Sequence, residues 1–67
     1  MQQFNVGDTA WFIVRNSNND GWSAVQRKIV RILGDTEPLY HGGNDIAVTR
    51  DYLCGSAAEA FMWISKH

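Results

Sequence analysis

A mainly β fold of about five short strands, closed by one C-terminal α-helix, is what these 67 residues predict. Three observations carry the prediction. Runs rich in β-branched and aromatic residues recur through the first fifty or so positions. Gly, Asp, Asn and Pro clusters separate them at short intervals. Near the end, Ser56-Ala57-Ala58-Glu59 followed by Ala60-Phe61-Met62-Trp63-Ile64 has the form of a capping box opening an apolar helix.

Phe4-Asn5-Val6 is a short lead-in, and Gly7-Asp8 closes it with a turn, since Gly takes backbone angles that other residues resist and Asp accepts from nearby amides. Thr9 to Val14 is the first strand. If Ala10, Phe12 and Val14 point inward, Trp11 and Ile13 point out. Arg15 to Gly21 is a polar loop ending in Asp-Gly, which makes a long-looped hairpin with the apolar stretch that follows. From Trp22 to Leu33 the apolar parity changes: Val25, Ile29 and Leu33 share one face, Trp22, Ala24, Val30 and Ile32 the other. One strand can do this only through a bulge or sharp bend. The competing reading is a helix with Val25, Ile29 and Ile32 on one stripe, but Trp22, Val30 and Leu33 lie off it.

Gly34 to Pro38 is a turn, Leu39 to His41 a short strand, Gly42 to Asp45 a second tight turn, and Ile46 to Val48 a further strand. Thr49 to Cys54 leads into the helix. There Ser56 is expected to accept from the Glu59 amide while the Glu59 carboxylate returns to the Ser56 amide. The expected inward stripe is Ala57, Ala60, Phe61 and Ile64, which leaves Met62 and Trp63 toward the outer face.

Residues 1–67 form a single domain, close to the size at which one core barely outweighs the entropy of ordering the chain. Lone Cys54 excludes an intrachain disulfide, so stability must come from packing or from a partner. The composition favours tight packing, with 45% hydrophobic residues, three Trp, three Phe and two Tyr. A formal charge of -1 provides no strong field toward phosphate backbones or anionic lipid. Residues 1–20 have no charged start followed by an apolar core, and no apolar run approaches the roughly 18 residues of a membrane span, so a cytoplasmic protein with no membrane partner is expected.

The order of elements, carried by Phe4 to Trp11, Lys28-Ile29-Val30-Arg31-Ile32, Tyr40, and Val48 to Leu53 running into Ser56-Ala57-Ala58-Glu59-Ala60, resembles the small SH3-like barrels of prokaryotes and phage-type proteins. The resemblance spans nearly the whole chain. It implies a small SH3-like barrel and no catalytic residues. Barrels of this kind bind peptides, nucleic acid or other subunits; their nucleic-acid-binding members are usually basic, and this chain is not.

No residue set points firmly to catalysis, and no small-molecule substrate, cofactor or metal is expected. Cys54, His41 and Asp51 are the residue types of a thiol nucleophile, base and orienting carboxylate, but a buried structural Cys is the plainer reading. His41 and Cys54 with Asp45 or His67 lack the paired ligand spacing of zinc sites. Gly42-Gly43-Asn44 lacks the Lys and the following helix of a phosphate loop and reads as a hairpin turn. The aromatics say more. Trp11, Trp22 and Trp63 exceed what so small a barrel can bury, and Trp and Tyr are enriched where proteins grip one another. Trp11, Trp22, Tyr40, Met62 and Trp63 are therefore candidate binding residues, for a protein partner or for self-association. In the alternative, Arg27, Lys28 and Arg31 meet phosphates while exposed aromatics stack on bases.

Overall fold

The computed structural model describes residues 4–16, 21–43 and 45–67. Strands β1 (Thr9–Arg15), β2 (Trp22–Lys28), β3 (Arg31–Leu33), β4 (Leu39–Gly43) and β5 (Ile46–Thr49) are followed by a 3-10 turn at Arg50–Tyr52, strand β6 (Leu53–Cys54) and helix α1 (Ala57–Lys66). The strands pair into two antiparallel three-stranded sheets, ordered β2-β1-β6 and β3-β4-β5, and among the described residues they do not close into a barrel. Much of the polar loop expected after β1, residues 17–20, lies outside the described residues, as does Asn44 of the second turn.

Strand β1 runs through the middle of the first sheet and is covered on both faces. Ala10 and Phe12 enter the layer between the sheets, with Phe4, Ile29, Tyr40, Val48 and Leu53. Trp11 and Ile13 enter a second layer beneath α1, with Cys54, Ala60, Trp22, Ala24, Trp63 and Ile64. The alternation expected from the sequence is present, but Ile13 is only 1% exposed: the outward face of β1 meets the helix, not water.

The bent strand expected over Trp22 to Leu33 is two strands with a break at Ile29-Val30. Trp22 and Ala24 face the helix layer, whereas beyond the break Ile32 packs on the layer between the sheets, which is the parity change seen in the sequence. Ile29 is fully buried, so its backbone needs partners inside the protein. The lead-in turn supplies them: Gly7 N donates to Ile29 O and Ile29 N donates to Asp8 O, each at 2.8 Å. That turn is held in turn by Asn5 N donating to Asp8 Oδ2 at 2.8 Å, with Gly7 at φ 97°.

The β4–β5 pairing slips by one residue between His41 and Gly43, which places Gly42 at a bulge against the first sheet. A Cβ on Gly42 would lie 2.9 Å from Phe12 Cζ and 3.1 Å from Arg27 Cβ. Arg27 Nε donates to Gly42 O at 3.0 Å, so backbone and side chains from both sheets meet at this bulge.

In α1 the Glu59 amide donates to Ser56 Oγ at 3.2 Å, as the capping box requires. The return contact differs from expectation: the Ser56 hydroxyl, not its amide, donates to Glu59 Oε1 at 3.3 Å. The inward stripe also needs correction. Ala60, Trp63 and Ile64 pack on the sheet, and Phe61 is 68% exposed. Ala60 and Ile64 fit either stripe, and the position of β1 and β2 under the helix decides for Trp63 over Phe61.

Gly42→Ala is expected to lower stability by about 1 to 3 kcal/mol, the usual cost of forcing extra volume into packed surroundings. Thermal unfolding is the check, because in a domain this small each 1 kcal/mol shifts the midpoint by roughly 4–8 °C. An unchanged midpoint would mean that Phe12 can give way freely.

Candidate functional site

The 3-10 turn, β6 and one flank of α1 border a groove of about 460 Å³, lined by Arg50, Asp51, Leu53, Cys54, Glu59, Met62, Trp63, Lys66 and His67. Leu53, Cys54, Met62 and Trp63 give it an apolar lining; the charged residues are of both signs. Beside it, the outer face of α1 presents Phe61 at 68% and Met62 at 58% exposure. Scattered apolar residues on a surface are ordinary, but two large ones on the outer side of one short helix stand out: Met62 at the groove, and Phe61 about 100° round the helix from it.

One wall of the groove is fixed by an aromatic cluster. The Trp63 ring lies 5.1 Å from Trp22, edge to face, and 5.3 Å from Tyr52, while Trp22 and Tyr52 stack at 5.6 Å. Trp63 Nε1 donates to Asp51 O at 3.0 Å and so ties the helix to the 3-10 turn. On its other side the His67 ring stacks at 3.9 Å and 14°, and His67 Nδ1 donates to Trp63 O at 2.7 Å. A carbonyl can only accept, so Nδ1 carries the proton.

Cys54 is buried at the base of the groove. Burial pushes its thiol above the ordinary value of 9.0, the Glu59 carboxylate adds to the rise, and Arg50 opposes it. A neutral, buried thiol is a poor nucleophile. His41, by contrast, lines a separate groove of about 260 Å³ with Val30, Arg31, Gly43, Asp45 and Ile46. Cys54 and Asp51 therefore lie in one groove and His41 in the other, and the residues of the thiol-catalysis reading do not converge. Nor do His41, Cys54, Asp45 and His67: among the described residues no three His, Cys, Asp or Glu side chains group as metal ligands. His41 Nε2 is buried without a hydrogen-bond partner among the described residues, the one such side-chain atom found there.

The candidate binding residues divide. Met62 is exposed as expected. Trp11, Trp22 and Trp63 are all half-buried against the second layer, so the surplus of aromatics is largely absorbed there and does not project as an interface. Tyr40 is a correction: it is 8% exposed, edge-on to Phe4 at 6.4 Å, and belongs to the layer between the sheets. Arg27 is half-buried against Gly42, while Lys28 and Arg31 are exposed on either side of the break, one on each sheet. Phe61 was absent from the expected surface. The signal for it was present in Ala58, Phe61, Met62 and Ser65, which recur at i, i+3, i+4 and i+7 like any helix face.

Among the described residues no helix is long and apolar enough to cross a membrane. Comparison with known protein families, curated proteins and solved structures finds no match.

Trp63→Ala is expected to destabilise the protein by about 3 kcal/mol, since it empties the joint between helix and sheet. Trp63→Phe should lose nearer 1 kcal/mol, the share of the Nε1 hydrogen bond. Chemical denaturation of both variants checks the order; equal losses would show that the hydrogen bond, not ring packing, holds the helix.

The Cys54 thiol should react with a maleimide or disulfide reagent more slowly than a free model thiol, and at the model rate once the chain is unfolded. Because its proton is held more tightly in the folded state, its contribution to stability is present below the unfolded thiol pKa and lost as pH rises through the higher folded one. A Cys54→Ala variant should show a flatter fall of stability over that alkaline range.

Proposed function

We propose that this chain is a noncatalytic binding module of SH3-like architecture that works by holding a protein partner, as an accessory subunit or as a self-associating one. The carrying observation is that α1 leaves two large apolar residues exposed, Met62 at the apolar groove between the helix and the 3-10 turn and Phe61 on the helix flank away from it. Large apolar side chains left to water on a protein this small are best accounted for by an occupant that covers them. The mixed charges at the groove suit a protein surface better than a polyanion, which would meet Asp51 and Glu59 as well as Arg50 and Lys66.

Support for the SH3-like reading comes from the chain path. A strand broken at Ile29-Val30 passes from one three-stranded sheet to the other, β4 and β5 complete the second sheet, and a 3-10 turn returns the chain to pair β6 beside β1. Helix α1 then closes the free face of the first sheet. A cytoplasmic setting agrees with a single buried thiol.

Nucleic-acid binding through Arg27, Lys28 and Arg31 is the second reading, with less behind it. The Arg27 guanidinium is engaged with Gly42 O, and Tyr40, one of the rings proposed to stack on bases, is buried.

Three measurements on the full chain test the proposal: capture from a native lysate, sedimentation over a wide concentration range, and titration with DNA and RNA at low salt. A stoichiometric protein partner or reversible self-association, reduced by Met62→Asp, is expected. No partner together with a strictly monomeric protein would overturn it, and nucleic-acid affinity falling steeply with salt would favour the second reading.

A further inference from the structure

We infer that the outer face of α1 docks against the same face of a second copy of the chain, helix antiparallel to helix, as a weak symmetric dimer. The inference rests on the reading of the chain as a protein-binding module and names its partner.

At 100° per residue the outward side of α1 has Ala58, Met62 and Ser65 along its centre. Phe61 lies on one flank; Glu59 and Lys66 lie on the other, two turns apart. Ala58, Glu59, Phe61, Met62, Ser65 and Lys66 are all exposed. The pattern is therefore small residues toward both ends, a large apolar pair in the middle, and a charge of opposite sign near each end of one edge.

A two-fold axis across the helix maps this face onto itself in a complementary way. In an antiparallel pair related by such an axis, each flank meets the same flank of the partner copy. Glu59 of each copy then faces Lys66 of the other, and Phe61 faces Phe61. With the axis midway between Glu59 and Lys66, the two Phe61 positions are offset by roughly 4 to 5 Å along the helix direction, within reach of ring contact. Ala58 and Ser65 leave room for close approach at both ends.

A parallel pair fails the same test. Its two-fold axis runs along the helices and sets the charged flank of one copy against the Phe61 flank of the other, which desolvates charge on an apolar ring. The helix dipoles also oppose one another only in the antiparallel pair, where each negative C-terminus lies by a positive N-terminus. Glu59 near the start of α1 and Lys66 near its end reinforce that direction.

Area limits the strength. Stable interfaces cover about 800 Å² per partner, and a helix of ten residues, about 15 Å long, offers less. The dimer is accordingly a high-concentration or co-localised species.

Sedimentation equilibrium of the full chain from about 10 µM to about 1 mM tests this, with thermal unfolding of each variant as the folding check. A reversible monomer–dimer equilibrium is expected. Phe61→Asp and Met62→Asp should each raise the dimer Kd by at least about tenfold, with little change in unfolding temperature because both side chains are exposed. Glu59→Lys and Lys66→Glu should each raise Kd about threefold or more at low salt, and the double variant should recover it. Recovery is specific to the antiparallel pair, since in a parallel pair both charges face the partner copy's Phe61 flank and there is no Glu59–Lys66 contact to break or restore. A chain that stays monomeric at about 1 mM overturns the inference, and so does a dimer indifferent to Phe61→Asp and Met62→Asp. A monomer that still captures a stoichiometric partner loses this inference alone, whereas a monomer that captures none loses the binding-module reading with it.

Discussion

Strand β1 has to be apolar on both faces, and the rest of the fold is arranged around that requirement. A chain of 67 residues cannot build one core deep enough to bury its large side chains from a single direction. Here Ala10 and Phe12 serve the layer between the sheets, while Trp11 and Ile13 serve the layer under α1. Phe12 and Ile13, neighbours in sequence, are both almost completely buried in different clusters. Each layer alone is small. Sharing a central strand lets one set of ladder hydrogen bonds support both, so loosening either layer exposes the other side of the same strand.

The second sheet depends on a break with no free backbone. Between β2 and β3 the chain must change sheets, and Ile29 makes that change fully buried. An unsatisfied buried peptide group costs about 1 to 3 kcal/mol, a sizeable part of the stability of so small a domain. The Gly7-Asp8 turn satisfies both groups of Ile29, and Val30 N donates to His41 O on β4 at 2.8 Å. The lead-in is therefore structural, which accounts for Phe4 packing in the core and for Arg50 lying 4.6 Å above its ring. Gly42 completes the join from the other side, since only a residue without a side chain lets β4 approach Phe12 so closely.

Local signals were readable wherever a feature depends on its own few residues. The Gly7-Asp8 turn, the strand after it, the Gly34 turn, the hairpin strands and the Ser56 cap all follow from backbone preference or short-range hydrogen bonding. The parity change after Val25 correctly marked a disruption, but parity alone does not distinguish a bend from a break that transfers the chain to another sheet. What was not readable was covering. Whether Ile13, Tyr40 or Trp63 meets water depends on what lies over a strand or helix face, and that is a tertiary fact. Tyr40 and Trp63 are consequently core and joint rather than surface, and Phe61, which completes the alternative stripe with Ala60 and Ile64, is left outside.

This exchange of Trp63 for Phe61 separates two roles on one helix. Trp63, with Trp22, Tyr52 and the Asp51 carbonyl, attaches α1 to the sheet and contributes to folding directly. Phe61 and Met62 contribute little to the isolated fold, because each residue is more than half exposed to solvent. A selective pressure for stability alone would favour polar residues at those two positions, which would keep helix propensity and remove an aggregation hazard. Their apolar character on a helix otherwise secured by Trp63 is what a docking face requires: a rigid support already folded before the partner arrives, so that little ordering entropy opposes association. The neighbouring charges then determine direction more than strength, since exposed ion pairs contribute little energy but disfavour every alignment that sets like against like.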